Sequence, residues 1–169
     1  MRIASNLFTV IIVFVTCSAR AGECQLSIEA NDQMQFNQRQ LHVGASCESV
    51  EVTLKHTGTQ PKKIMGHNWV LAKTADVAAL VNAGMSAGLA NNYQNANDPR
   101  IIASTSVVGG GESTTITFSS SKLRAGGDYT FFCTYPGHVA VMKGTFVFGG
   151  KTEERVTTAA TPKREASTP

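Results

Sequence analysis

The segment Tyr129–Met142, YTFFCTYPGHVAVM, joins a half-apolar run to three side chains that bind soft metal ions. Alternation in its first five residues places Cys133 on the same face as two aromatic side chains, which predicts a strand ending in a buried thiol. His138 and Met142 follow after a Pro-Gly turn. The segment therefore predicts a β-strand with a cluster of donor atoms at its end.

The same alternation recurs in short runs along most of the chain. Clusters such as GGGES (109–113) and RAGGD (124–128) separate these runs and have the composition of turns. Repeated half-apolar strands with irregular links predict an antiparallel β-sandwich or barrel. The alternating apolar residues are Leu26 and Ile28; Val50, Val52 and Leu54; Ile116 and Phe118; Tyr129 and Phe131; and Phe146 and Phe148.

The segment from Thr74 to Tyr93 is the exception to the strand pattern. Val77, Leu80 and Val81 recur at helical spacing, and Thr74 is a residue type that caps helices. We therefore expect one short helix that packs one side against the sheets.

The N-terminus has the pattern of an export signal. Arg2 precedes the apolar run Leu7–Val15, and Ala19-Arg20-Ala21 resembles a cleavage site, so residues 1–21 are predicted to be a signal peptide. The apolar run is well short of the roughly 20 residues that span a bilayer, so we expect no membrane span. Lipid attachment at Cys17 is an alternative, although the residues before it match a lipobox poorly. The mature protein is therefore expected outside the cytoplasm.

The remaining chain divides into a domain and a tail. Residues 22–148 have the length of a single domain with one core, whereas 149–169 are polar and lack periodicity, which predicts a disordered tail. The domain contains nine Lys/Arg and nine Asp/Glu residues. This balance indicates neither a nucleic acid nor an anionic membrane surface as a partner.

Three cysteines remain after the signal peptide, an odd number for an oxidising compartment. Cys24 and Cys47 have no His or Met close by in sequence, so a structural disulfide between them is the economical interpretation. Cys133 is then left unpaired beside His138 and Met142.

A thiolate, an imidazole and a thioether favour copper or zinc over magnesium and calcium. Three donors from one loop seldom complete a tightly held site, so a fourth is expected from elsewhere. His67 is the best candidate because it shares an extended apolar face with Trp69. Gly66 before it would let a backbone carbonyl approach the metal. Two His, one Cys and a distant Met are the donor set of blue-copper sites.

Three motifs extend this interpretation to most of the domain: NDQMQFN (31–37), MGHNWVL (65–71) and FFCTYPGHVAVMKGT (131–145). With them the chain resembles the cupredoxin family of type 1 blue-copper electron carriers. The resemblance implies a Greek-key antiparallel β-sandwich with a short helical flap and one copper ion. The implied ligands are Gly66, His67, Cys133, His138 and Met142.

The resemblance also implies how the site would work. Asn68 and the backbone around Tyr135 are expected to hydrogen-bond near the sulfur, and His56 is expected to point inward near the site. The expected function is periplasmic transfer of single electrons between redox proteins such as c-type cytochromes and terminal reductases, without catalysis. Those partners would dock on an apolar patch comprising Met34, Ile64, Met65, Met85, Tyr135, Pro136, Ala140 and Val141.

Two other classes of function remain open from the sequence. A copper buffer or chaperone would need an exposed, exchangeable site. An oxidase or reductase would need another metal centre, for which only His42 and His56 remain.

Overall fold

The computed structural model describes residues 24–149. The predicted signal peptide, 1–21, and residues 150–169 of the predicted tail lie outside the described residues. Both remain predictions.

The chain forms a first sheet of four strands, in the order β2-β1-β4-β7. These strands are β1 (Gln25–Asn31), β2 (Gln35–Phe36), β4 (Ser49–His56) and β7 (Ser113–Ser119). In β4 every second residue is buried, Val50, Val52 and Leu54 among them, as the alternation predicts. One face of this sheet therefore covers the core and the other faces solvent.

A second sheet of five strands has the order β3-β9-β8-β5-β6. Its strands are β3 (Gln40–Val43), β5 (Val70–Lys73), β6 (Ala103–Ser104), β8 (Tyr129–Phe132) and β9 (Lys143–Phe148). Trp69, which precedes β5, is fully buried between the sheets, where its ring packs near those of Phe118, Phe131 and Phe146. The predicted β-sandwich is confirmed.

Both sheets are mixed rather than wholly antiparallel. β1 runs parallel to β4, and β3 runs parallel to β9, whereas the remaining pairs are antiparallel. A parallel pair needs a longer connection than a hairpin. The links from β1 to β4 and from β3 to β9 therefore each pass through other elements.

Two helices lie outside the sheets: α1 (Lys62–Met65) and α2 (Val77–Ala87). Helix α2 is the predicted helical flap, and its Leu80 packs against Val70 and Phe132. The prediction that Thr74 caps this helix is wrong. The helix begins after a 3₁₀ turn, Thr74–Asp76, without a side-chain cap, and the Thr74 hydroxyl donates to Asp128 instead. The remaining 3₁₀ turns are Leu89–Asn91, Ser120–Lys122 and His138–Ala140.

Strand directions define two ends of the sandwich. β1, β4 and β8 finish at the end that holds Cys133, which we call the donor end. The predicted disulfide Cys24–Cys47 is present and lies at the opposite end, where β1 and β4 begin. Among the described residues no helix has the length and hydrophobicity needed to cross a membrane.

Candidate metal centre

Three predicted donors converge at the donor end from separate parts of the fold. His67 lies in a bridge to Val108 just before β5, Cys133 directly follows β8, and His138 begins a 3₁₀ turn. One ligand atom from each residue lies within 4.8 Å of the others. The Nδ1 atoms of the two histidines are 3.2 Å apart, and Cys133 Sγ lies 3.7 Å from His138 Nδ1. We call these three residues the donor cluster.

A backbone contact fixes the tautomer of His67. Its Nε2 lies 2.8 Å from the carbonyl oxygen of Asn31. Because a carbonyl only accepts hydrogen bonds, Nε2 carries the proton and the Nδ1 lone pair faces the other two donors. The ring is therefore oriented to bind a cation through Nδ1, as metal-ligating histidines usually are.

Burial keeps both histidines uncharged at neutral pH. His67 is fully buried and His138 is 4% exposed. Desolvation lowers the pKa of each ring to about 4, because the charged form loses hydration in the interior. Both rings consequently offer free lone pairs without first losing a proton.

The pKa of the Cys133 thiol is shifted in the opposite direction to those of the two histidines. Burial raises its pKa to about 11, while the backbone N–H groups of Asn68 and Tyr135 act in the lowering direction. Without a cation the thiol therefore holds its proton at neutral pH, and a bound metal would displace it. Asn68 and Tyr135 are also the residues from which the sequence predicts hydrogen bonds near the sulfur, and that role stays a prediction.

Backbone hydrogen bonds close the loop that carries two of the donors. Cys133 N–H donates to the Met142 carbonyl at 3.0 Å, and Met142 N–H donates to the His138 carbonyl at 2.8 Å. His138 N–H in turn donates to the Tyr135 carbonyl at 3.0 Å. The loop is thus held by its own backbone, independently of any ligand.

The two remaining predicted ligands lie beside this loop. Met142 is fully buried and belongs to the same core cluster as Cys133. Gly66 is buried, and a Cβ added to it would lie 2.6 Å from Val107 Cγ1 and 3.0 Å from Tyr135 Cε2. Only glycine fits there without moving its neighbours.

A hydrogen-bond network that the sequence did not reveal joins the donor segments. The Asn68 side chain accepts from Thr134 N–H at 2.9 Å and donates to the Thr134 hydroxyl at 2.7 Å. Asn92, in the loop after α2, accepts from the Asn68 amide at 2.9 Å through its carbonyl and from Val107 N–H at 2.8 Å through Oδ1. Its φ of 57° is a left-handed conformation that Asn tolerates. A lone Asn before Tyr gives no sequence signal for this role.

The predicted inward histidine, His56, lies next to the donor cluster. It is fully buried, and its ring stacks on that of His67 with centroids 4.6 Å apart. Its Nε2 lies 2.8 Å from the Met65 carbonyl, and its Nδ1 accepts from Gly58 N–H at 3.0 Å. Both ring nitrogens are therefore satisfied by the backbone.

Part of the predicted docking patch lies in the loop 133–142, which carries Cys133 and His138. The large exposed apolar side chains among residues 24–149 are Met34, Ile64, Met85 and Val141, and all four belong to the predicted patch. Pro136 and Ala140 are also exposed, whereas Met65 and Tyr135 are partly buried. The Tyr135 ring lies 4.7 Å from that of His138, and its hydroxyl donates to the Lys63 carbonyl. We call this set the apolar patch.

A β-sandwich that buries one thiol and two neutral imidazoles in a cluster defines a class of proteins that bind one soft or intermediate metal ion. Comparison with known proteins identifies the family within this class. Residues 22–149 match the family described as copper binding proteins, plastocyanin/azurin family. The chain belongs to this family.

Individual relatives agree with the family match. The chain is 54% identical to the azurin of Bordetella pertussis (strain Tohama I) over 125 residues, which cover 74% of this chain and 83% of that protein. It is 52% identical to the azurin of Alcaligenes faecalis, covering 75% and 98%. Against the azurin of Pseudomonas aeruginosa (strain PAO1) the identity is 50%, covering 74% and 84%. The predicted class of blue-copper electron carrier with a copper cofactor is thereby confirmed at the level of the family.

Proposed function

We propose that this protein carries single electrons in the periplasm, between redox proteins such as c-type cytochromes and terminal reductases. We further propose that His67, Cys133 and His138 bind one copper ion, with Met142 and the Gly66 carbonyl as weaker ligands. The observation that carries the proposal is the convergence of three buried donors whose protonation states and orientations suit a soft cation.

The donor set fits copper, which would supply the one-electron couple between Cu(I) and Cu(II) when bound. The protein's own part is to hold the donors in one arrangement. The backbone bonds of the loop 133–142 and the network through Asn68 fix Cys133 from two sides. A frame that does not rearrange between redox states lets an electron enter and leave quickly.

Access to the cluster favours electron transfer over catalysis. His67, Cys133 and Met142 are fully buried, and His138 keeps 4% exposure beneath the exposed Pro136 and Ala140. No substrate reaches such donors directly. A partner seated on the apolar patch would lie close to the His138 ring, and apolar patches of this kind are docking surfaces.

Burial of the donors also argues against a copper-delivery protein. Delivery requires that another protein's ligands reach the ion, whereas these donors are covered and fastened by hydrogen bonds. Rapid loss of copper to a mild chelator, with no reversible voltammetric wave, would favour the delivery function instead.

Titration of the purified protein with Cu(II) tests the proposal. We expect an intense visible band from thiolate-to-copper charge transfer, together with a reversible one-electron wave in voltammetry. Cys133→Ser should abolish the band. The matched control, in which Cys24 and Cys47 are both replaced by Ser, should keep it because the disulfide lies at the opposite end. Colourless binding of copper by the parent protein would contradict the proposal.

Export is proposed from residues 1–21, which lie outside the described residues. N-terminal sequencing of the protein recovered from a periplasmic extract tests it. A sequence that begins at Gly22 supports export with cleavage, whereas an intact Met1 in the cytoplasmic fraction contradicts it.

A further inference from the structure

We propose that the redox partner presents acidic side chains around its docking site, because unpaired cations border the apolar patch. This inference rests on the proposed function and specifies the chemistry of the partner. We call the four cations the basic rim: Arg39, Lys62, Lys63 and Lys143. All four side chains are exposed.

Contacts place each member of the basic rim beside the apolar patch. The Arg39 guanidinium donates to the Val141 carbonyl at 3.1 Å. Lys62 and Lys63 form α1 together with Ile64 and Met65 of the patch. Lys143 lines one surface cavity together with Ala140. The cations thus approach the patch from three separate elements.

None of these cations is neutralised within residues 24–149. The contacts between acidic and basic side chains among those residues are His56 with Asp32 and Arg100 with Asp98, and neither involves the basic rim. The side-chain charge of the basic rim therefore faces solvent and is available to a partner.

The fold distributes unevenly between the two ends of the sandwich the charges that the sequence balances. Two carboxylates lie near the basic rim, and backbone N–H groups hold their oxygens without cancelling their charge: Asp32 accepts from Thr59 N–H and Gln60 N–H, and Glu112 accepts from Gly109 N–H. The four cations of the basic rim outnumber these two carboxylates. Glu29 lies opposite Lys55 in the β1–β4 pair. Four other carboxylates, Glu48, Asp76, Asp98 and Asp128, lie at the end away from the donors, where they face the cations Lys73, Arg100, Lys122 and Arg124.

An apolar contact inside a charged border suits a short-lived complex. The apolar centre excludes water, while opposite charges speed the encounter by about tenfold to a thousandfold at low ionic strength. A partner with a basic border would meet like charge at this face and be rejected. The basic rim therefore selects a partner with carboxylates around an apolar contact.

Stopped-flow kinetics of the reduced, copper-loaded protein with two ferric probes test the proposal. The probes are an acidic and a basic c-type cytochrome of similar potential. Each transfer moves one electron to the haem iron, with no bond or proton exchanged. We expect the acidic cytochrome to react faster at low salt, and its rate to fall about tenfold or more as salt rises and the Debye length shrinks from about 30 Å to below 8 Å.

Paired variants locate the effect. Replacing Lys62 and Lys63 with Gln should slow the acidic cytochrome severalfold at low salt and flatten the salt dependence. Their backbone contacts to the site region remain in these variants. The matched control replaces Lys73 and Lys122 with Gln, at the end away from the donors, and should leave the rates within twofold of the parent.

Binding is measured separately, by retention of the protein on each immobilised cytochrome and on anionic lipid vesicles. Preference for the acidic cytochrome in both assays supports the proposal. Salt-independent rates, preference for the basic cytochrome, or stronger retention on vesicles would overturn it. Voltammetry distinguishes failure of the proposed function from failure of this proposal. A protein without a reversible wave is not an electron carrier, whichever immobilised cytochrome retains it.

Discussion

Replacing Asn92 with alanine should loosen the donor cluster, although Asn92 is not among the proposed ligands. This residue joins the loop after α2 to the segment of His67 through the Asn68 amide. It also accepts from Val107 N–H, next to Val108, which exchanges two backbone hydrogen bonds with His67. The contact with Asn68 uses the Asn92 backbone carbonyl and remains in any substitution, whereas removing the side chain takes away the contact with Val107 and so disturbs the support of the cluster from outside.

Three substitutions separate the contributions of this side chain. Asn92→Gly keeps the left-handed backbone and leaves the buried Val107 N–H unpaired, which costs about 1–3 kcal/mol of unfolding free energy. Asn92→Ala loses the same acceptor and, relative to Asn92→Gly, adds about 1–2 kcal/mol for a Cβ at φ 57° without the local hydrogen bonding that lets Asn tolerate this conformation. Asn92→Asp keeps the acceptor and a residue type that tolerates this conformation. We expect it to remain within about 1 kcal/mol of the parent.

Denaturant titration of the metal-free protein measures these free energies. In the copper-loaded protein we expect Asn92→Ala to shift the visible band and to release copper faster. If about 2 kcal/mol of the lost free energy weakens the donor cluster's hold on copper in the folded protein, release of copper to a chelator accelerates roughly thirtyfold. Asn92→Asp should restore both the band and the release rate.

A variant destabilised at the other end of the fold supplies the control. Removal of the Cys24–Cys47 disulfide should lower stability without moving the band. If Asn92→Ala loses stability but keeps the parent band and releases copper no faster than this control, the link between Asn92 and the cluster is wrong. An Asn92→Ala variant as stable as the parent would refute the energetic argument itself.

Three further predictions concern other parts of the fold. Replacing Cys24 and Cys47 with Ala should lower the unfolding free energy by about 3 kcal/mol, because their bond closes a loop with a separation of 23 residues. The metal-free protein should lose stability as pH falls from 6.5 towards 4, because the unfolded chain binds protons that the folded His67 and His138 rings exclude. Denaturant titrations should show a loss of up to about 3 kcal/mol per ring. Gly84→Ala should destabilise by about 1–3 kcal/mol, despite a gain of about 1 kcal/mol in helix propensity, because its Cβ would overlap a carbonyl oxygen of the next loop.

Each of these predictions has a result that would contradict it. An unfolding free energy unchanged by loss of the disulfide would contradict the first prediction, and a visible band altered by that loss would mean that the two ends of the sandwich are coupled. The histidine argument fails if the pH slope persists after both rings are replaced by Gln. The contribution of the two histidines is distinct from that of Asp98. Arg100 lowers the pKa of Asp98 to about 2, so the stability that Asp98 contributes is lost only at lower pH. A Gly84→Ala protein that melts at a higher temperature than the parent would show that helix propensity outweighs the overlap.

Elements with period-two alternation could be predicted from the sequence, because burial on one sheet face imposes that period. Val50, Val52 and Leu54 are all buried in β4, and Phe146 and Phe148 in β9. The parallel pairing of β1 with β4 had no such signal, since alternation is the same in either direction. Helix α1 was also missed, because four residues are too few to show a period.

The donor cluster was predictable for a different reason. Cys133, His138 and Met142 are close in sequence, and residue type alone restricts what they bind. The network of Asn92 and Thr134 joins segments that are distant along the chain and uses ordinary polar residues. Its function depends on backbone carbonyls and a left-handed φ, which composition does not encode.

The directions of the outer strands have a practical consequence for attachment. β1 begins at Gln25 and β9 finishes at Phe148, both at the end away from Cys133. A fusion partner, an affinity tag or a link to an electrode joined at either boundary of the sandwich would therefore start on the far side. Immobilised molecules would turn the His138 face outward to the solution, so either boundary serves equally well for a sensor.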